Sequence, residues 1–217
     1  MTVEQISDQI KKYQDKGLRL FISSSFQSHS IPLLHIISSI DKSIPVIFIH
    51  TGYHFKETLQ FRDEVTKLLN LNLINVFPKV SKINQKDCNG NLLYTSDPDY
   101  CCYLNKTDPM ESALAEYDVW INGIRADQNS NRSAMKIEEE AKFGCLRFHP
   151  VLDWNSKMIY DYQKKYDLPK HPLDAQGYVS IGCEPCTRKP DPDDERSGRW
   201  YGMKKTECGL HLDLVKK

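Results

Sequence analysis

The chain has no glycine-rich phosphate loop. Its ten glycines are scattered over 217 residues, and neither G-x-x-x-x-G-K-[ST] nor G-x-G-x-x-G occurs. That excludes the usual P-loop and dinucleotide fingerprints. An excess of one charge is also missing: Lys+Arg and Asp+Glu both number 29. No global field therefore points to nucleic acid or an anionic membrane, and any bound anion needs a local cluster of cations. Long apolar runs are lacking too. "PVIFI" is far too short to cross a bilayer, and the start, "MTVEQISDQIKKYQDKG", is too polar for a secretory signal. These absences lead us to expect a soluble cytoplasmic protein. In that compartment seven cysteines point to metal binding or catalysis rather than to a disulfide framework.

What is present alternates in type. Val3, Ile6, Ile10 and Tyr13 recur at helical spacing, so a helix is expected over 3–16. "LRLFISSS" reads as a buried strand that breaks into a polar loop. "SIPLLHIISSI" reads as a helix with Ser30 as N-cap and Pro32 in its first turn. "IPVIFIHTG" is a second strand, "KETLQFRDEVTKLLNL" an amphipathic helix and "NLINVFP" a third strand. "YDVWINGIR" and the weaker "LRFHPVLDW" follow as strands, and "SKMIYDYQKKYDLP" as a late helix stopped by Pro169. Strand–helix alternation predicts an α/β fold, an open, mostly parallel sheet with helices on both faces. The length suits one domain, 1–217. Residues 177–217 are rich in Gly, Pro and charge, and read as loops plus a mobile C-terminal tail.

Ligands of an open parallel sheet bind outside the carboxyl ends of its strands. The loop "SSSFQSHS" (23–30) leaves the first strand there, and its hydroxyls and N–H groups suit phosphate or sulfate oxygens; a polar turn is the plainer alternative. Thr51 and Gly52 end the second strand at the same edge. In "NGIRADQNSNRS", Arg125 and Arg132 flank a loop after a strand, and "ERSGRW" adds Arg196 and Arg199. Guanidiniums so placed suit bidentate anion binding, although a lone surface arginine is more often solvated charge.

The cysteines form two close pairs, adjacent Cys101-Cys102 and Cys183-x-x-Cys186, with 80 residues between them. Together they supply four thiolates. Structural zinc prefers spaced ligands in both halves of its site, so adjacency favours a larger cluster, while zinc and unrelated thiols stay open. Cys145 reads as a core residue, and Cys88 has no assigned role. Cys208, in "KKTECGLHL", has Lys204 and Lys205 upstream and His211 downstream. Nearby cations raise thiolate character, which makes it a candidate nucleophile carried on the tail.

The segments "SSSFQSHSIPLLH", "HTGYHFKETLQFRDEV", "YDVWINGIRADQNSNR", "GCEPCT" and "DERSGRWYGMKKTECGLH" occur in one order across nearly the whole chain. In these the chain resembles the assimilatory sulfonucleotide reductases, within the adenine nucleotide α-hydrolase-like (PP-loop-like) fold. The double cysteine with Cys-x-x-Cys resembles the cluster-containing adenylyl-sulfate (APS) reductase branch. One departure is Gln27, where many relatives carry glycine. The resemblance implies a [4Fe-4S] cluster on Cys101, Cys102, Cys183 and Cys186. It implies adenosine 5′-phosphosulfate as substrate, thioredoxin or glutaredoxin as reductant, and Cys208 as the thiol that takes up the sulfonate. Lys106 and His211 are implied as its catalytic partners. Substrate contacts are implied for Ser24, Ser25, Phe26, Ser28, Ser30, Thr51, Gly52, Gly123, Arg125, Arg132, Arg196 and Arg199. Residues 177–217 would hold the cluster-binding loop, the arginines and the catalytic tail. The resemblance leaves room for a homo-oligomer. The alternatives are a 3′-phosphoadenylyl-sulfate (PAPS) reductase and, more distantly, an ATP-using RNA-modifying enzyme with a four-thiolate zinc site. The latter lacks its Ser-Gly-Gly-rich loop here.

Overall fold

The computed structural model describes the chain except residues 192, 193, 195, 196, 204, 206, 208, 212, 213 and 215–217, and at residue 211 the backbone alone. Helix α1 spans Val3–Asp15 and opens on a capping box, in which the Thr2 hydroxyl accepts from the Gln5 N–H and Gln5 Oε1 accepts from the Thr2 N–H. Strand β1 (Leu20–Ser23) leads through a short 3-10 turn into α2 (Ile31–Ile40). Strand β2 (Pro45–Ile49), α3 (Lys56–Leu69) and β3 (Asn72–Val76) follow. All six lie where the apolar periodicity placed them. Ser30 stands at the N-cap of α2 but caps nothing with its side chain.

The middle of the chain holds helices that the periodicity did not announce. These are α4 (Leu93–Ser96), α5 (Pro98–Cys102) and α6 (Asp108–Glu116), with a π turn over Tyr103–Thr107 joining the last two. Pro109 has no N–H to return to the Asn105 carbonyl, so the ordinary i→i−4 ladder fails at that turn. Beyond it come β4 (Val119–Ile121), α7 (Ser130–Ser133), β5 (Glu138–Glu140), β6 (Leu146–Phe148) and α8 (Ser156–Lys165).

The strand order is β3-β2-β1-β4-β6-β5. All pairings are parallel except β5 against β6. Strand β5 was missed at the sequence level because three consecutive glutamates show no period-two pattern. At a sheet edge such charge is useful, since it discourages further strand pairing. Alternate residues of each central strand enter different cores. Ile22, Val46, Phe48 and Ile121 meet α1, α2, α3 and α8 through Ile6, Leu33, Phe61 and Ile159. Phe21, Ile47 and Trp120 meet α6 through Met110 and Leu114, and Leu214 from the chain end joins that second core. Helices therefore cover both faces. Cys145 is buried in the second core, and burial pushes its thiol pKa up to about 12, as suits an inert core thiol.

His149 follows β6 and is fully buried, and its Nδ1 lies 2.7 Å from the Lys136 carbonyl oxygen. Burial, reinforced by the Arg147 charge, lowers its pKa from the ordinary 6.5 to about 4. The folded value lies below the unfolded one, so the unfolded chain binds more protons between pH 6.5 and 4. Stability must then fall as pH drops through that window. Urea midpoints measured from pH 7 to pH 4 should decline, with a shallower decline in His149→Gln. An unchanged slope in that variant would remove His149 from the pH dependence.

Candidate active site

The strand order reverses between β1 and β4, and a cavity of about 480 Å³ opens at this point, beyond the carboxyl ends of β1, β2 and β4. Its floor comes from the loop after β1. Ser24, Ser25 and Ser30 line the cavity, and Ser25 and Ser30 place their hydroxyls 3.5 Å apart. The hydroxyl that caps nothing on α2 is thus turned to the cavity. Gln27 lines it as well and accepts the Ile181 N–H through Oε1 at 2.9 Å, tying the first loop to the late one.

Phe26 and Ser28 go elsewhere. Phe26 adopts φ +53°, is fully buried and meets Phe48 edge-on in the first core. Ser28 is buried, donates to Asp174 Oδ2 at 2.6 Å and accepts the His171 N–H at 2.7 Å. These two therefore support the loop from behind and do not line the cavity. Thr51 lines it, whereas Gly52 (φ +76°) turns the chain beside it and offers its carbonyl to Lys82.

Gly123, Arg125 and Arg132 reach the cavity from the loop after β4. Both guanidiniums are engaged. Arg125 is buried, with Nε donating to Asp127 at 3.0 Å and Nη2 to Ser156 Oγ at 3.0 Å. Arg132 donates to Glu207 through Nε at 2.6 Å and Nη2 at 3.0 Å, and through Nη1 to Gln128. Arg199 enters from the late loop and stacks its guanidinium over Trp200, 4.6 Å from the ring centre. Arg196 and Cys208 lie outside the described residues, as does the side chain of His211.

A second, much smaller cavity adjoins the first. Cys101, Cys102, Cys183 and Cys186 all line it, together with Tyr53 and Tyr94. Cys101 and Cys102 are neighbours on α5, where successive side chains diverge by about 100° around the axis. Cys183 and Cys186 bracket a 3-10 turn that the Glu184 N–H anchors to the Tyr53 carbonyl at 2.7 Å. None of the six described cysteines is in a disulfide. Burial, then the charges of Cys183 and Cys186, push the Cys101 pKa up to about 11. Buried Asn105 donates to the Cys101 carbonyl at 2.8 Å and is held by a reciprocal amide pair with buried Gln85. Sequence reasoning missed Gln85 and Asn105, because two amides 20 residues apart carry no local signature. Lys106, Cys183 and Trp200 line both cavities, so a shared wall separates them. The π turn that carries Lys106 sets it there.

A mostly parallel sheet with a cavity at its switch point defines an open α/β protein of the class that binds ligands beyond the carboxyl ends of its strands. The comparisons narrow this class. The family described as the phosphoadenosine phosphosulfate reductase domain matches residues 19–189. A protein of Chelativorans sp. (strain BNC1) named adenosine 5′-phosphosulfate reductase is 42% identical over 205 residues, 94% of this chain and 82% of its own. One of the same name from Bacillus velezensis is 38% identical, over 92% of this chain and 87% of its own. Among solved structures, the phosphate complex of phosphoadenylyl-sulfate reductase from Candida auris matches with a TM-score of 0.70 at 23% identity, covering 82% of this chain and 87% of that one. The NH3-dependent NAD synthetase of Campylobacter jejuni matches with a TM-score of 0.51 at 14% identity, covering 77% of this chain and 75% of that one. At such identities the solved structures speak for the fold alone. The chain belongs to the phosphoadenosine phosphosulfate reductase family.

Gly182 lies against Arg199 so closely that a Cβ there would overlap the guanidinium. The clash is with the tip of a flexible side chain that can shift, so Gly182→Ala should destabilise the late loop by no more than about 1 kcal/mol, the low end of the cost of overpacking. Arg199→Ala in the same chain should recover most of that loss, giving strongly non-additive urea midpoints. Additive effects would mean that Gly182 and Arg199 are not in contact.

Proposed function

We propose that the protein reduces adenosine 5′-phosphosulfate to sulfite and AMP in sulfate assimilation, through a sulfonated cysteine and with a cytoplasmic thioredoxin or glutaredoxin as the dithiol. The relatives named for this activity support the substrate. The observation that carries the site assignment is the wall shared by the large cavity and the four-thiol cavity. It puts one cation, Lys106, within reach of both.

The nucleotide would lie in the large cavity with its anionic groups towards Ser24, Ser25, Ser30, Thr51 and Gly123. Arg125, Arg132, Arg196 and Arg199 would supply the local positive charge that a neutral chain otherwise lacks. The Cys208 thiolate attacks the sulfonate sulfur. A sulfur–sulfur bond forms, the sulfur–oxygen bond to phosphate breaks, and AMP leaves with the electron pair. His211 would position Cys208. One thiol of the reductant then attacks the Cys208 sulfur, displaces sulfite and forms a mixed disulfide. Its second thiol resolves that disulfide and restores Cys208. The dithiol loses two electrons, and the substrate sulfur gains them. Lys106 would stabilise charge on the sulfonate oxygens during the first step.

The four thiols fit a [4Fe-4S] cluster better than a single ion. Four sulfurs around one cavity suit a larger group. The buried Tyr53 hydroxyl, beside the same cavity, meets no hydrogen-bond partner among the described residues, as expected where a sulfur-rich group completes the wall. A bound cluster would contribute order and fixed charge beside Lys106. Residues 177–217 would complete the single domain as cluster loop, arginine segment and catalytic tail.

Protein purified without air should be brown and carry about four irons per chain, and Cys208→Ser should keep both while losing sulfite production. Intact mass of the wild type with substrate should show one sulfonate adduct, on the peptide containing Cys208. Colourless protein with one zinc would refute the cluster, and full activity of the serine variant would refute the nucleophile. A kcat/KM that favours the 3′-phosphorylated substrate would move the protein to the PAPS reductases.

A further inference from the structure

Glu207 is a buried carboxylate that the reaction above does not use. It is 2% exposed, although it belongs to the chain end. Its hydrogen bonds include those from Nε and Nη2 of Arg132 at 2.6 and 3.0 Å, and from Nδ2 of Asn129 at 2.9 Å. Asn129 is itself fixed, because its Oδ1 caps α7 by accepting the Arg132 N–H at 2.9 Å. Both oxygens of the carboxylate are therefore gripped by a two-pronged guanidinium, and Oε2 also accepts from the capping amide. Such a planar, charge-assisted fork sets orientation as well as attraction. The chain is held on either side as well. Lys205 donates to Asp99, Leu210 packs against the second core and Leu214 is buried in it. Glu207 and Leu210 both line the large cavity, and Cys208 is joined to Glu207 by one peptide bond.

We propose that Glu207 is a positioning residue, whose ion pair with Arg132 and Asn129 docks the Cys208-bearing segment at the mouth of the large cavity. The consequence for Cys208 rests on its being the nucleophile. The docking itself does not. A buried ion pair contributes little net stability but defines geometry sharply, and an uncompensated partner left by mutation is costly. Leu214 in its core would tether the chain end, and the fork would set where the preceding turn lies. The same fork makes Arg132 a group shared between the substrate cavity and the tail.

The test uses the full chain and three variants, Glu207→Gln, Glu207→Asp and Leu214→Ala. Three readings are taken: single-turnover sulfonation of Cys208, alkylation of Cys208 by a neutral thiol reagent without substrate, and the affinity for AMP. Glu207→Gln should slow sulfonation about tenfold or more, equivalent to roughly 1.4 kcal/mol of barrier. It should speed alkylation at Cys208 by a similar factor and leave AMP affinity within about twofold. Glu207→Asp, one methylene shorter with the same charge, should fall between Gln and wild type. Equal alkylation in wild type and Glu207→Gln would overturn the docking role. So would equal alkylation gains in Glu207→Gln and Leu214→Ala with no partial rescue by Asp, since burial of the chain end alone would then explain the effect. A tenfold gain in AMP affinity in Glu207→Gln would also overturn it, because Glu207 would then be a competitor for the substrate's arginine. If wild type gains no sulfonate on Cys208, the proposed nucleophile fails, and the alkylation series still decides the role of Glu207.

Discussion

Five of the six strands run the same way, and the geometry of the site depends on that parallel pairing. Parallel strands send their carboxyl ends to a single edge, so the loops after β1, β2 and β4 meet there without any other device. β1 pairs with β2 on one side and β4 on the other, and the next connections leave in opposite directions across it. The chain cannot fill the resulting gap with a crossover, which leaves the cavity. The serine loop, Thr51 and the arginine loop then face one another although 100 residues separate their ends.

The electrostatics follow from a chain with no net charge. An anionic substrate gains nothing from the overall field, so cations must be concentrated at the cavity and held there. Each described arginine of the site is indeed fixed by a partner: Arg125 by Asp127 and Ser156, Arg132 by Glu207, Arg199 by the Trp200 ring and the Ile181 carbonyl. Fixing a guanidinium in advance lowers the entropy lost when an anion arrives, and a neighbouring carboxylate limits how much positive charge is presented. The cavity is therefore preorganised rather than strongly positive.

Hydrophobic period makes the elements of both chain ends legible in the sequence. The first two strands, the first three helices and α8 rest on buried positions such as Ile6, Ile22, Phe48, Phe61 and Ile159, which recur at the period of their element. The helices over 93–116 hid behind two prolines and a π turn, and β5 behind three glutamates. In the site, reactive side chains at short spacing were readable, notably the two cysteine pairs. Orientation was not. Phe26 and Ser28 sit in the right loop yet face the core and Asp174, and the direction in which a loop side chain points leaves no mark in the sequence. Contacts across long separations, such as Gln85 with Asn105 or Arg132 with Glu207, had no local pattern to read.

Glu207 shows how these levels combine. As sequence it is one acidic residue in a charged tail, where a solvated side chain is the ordinary expectation. Burial makes that reading untenable, since a carboxylate removed from water needs compensation by charge and hydrogen bonds. Arg132 and Asn129 supply both, and they come from α7, which exists because Asn129 caps it. The segment that would bring the reacting sulfur is thus tied to the loop that carries a cation lining the large cavity. A change in Arg132 should consequently be felt both in ligand recognition and in the placement of Cys208, whereas a change in Glu207 should be felt mainly in the second.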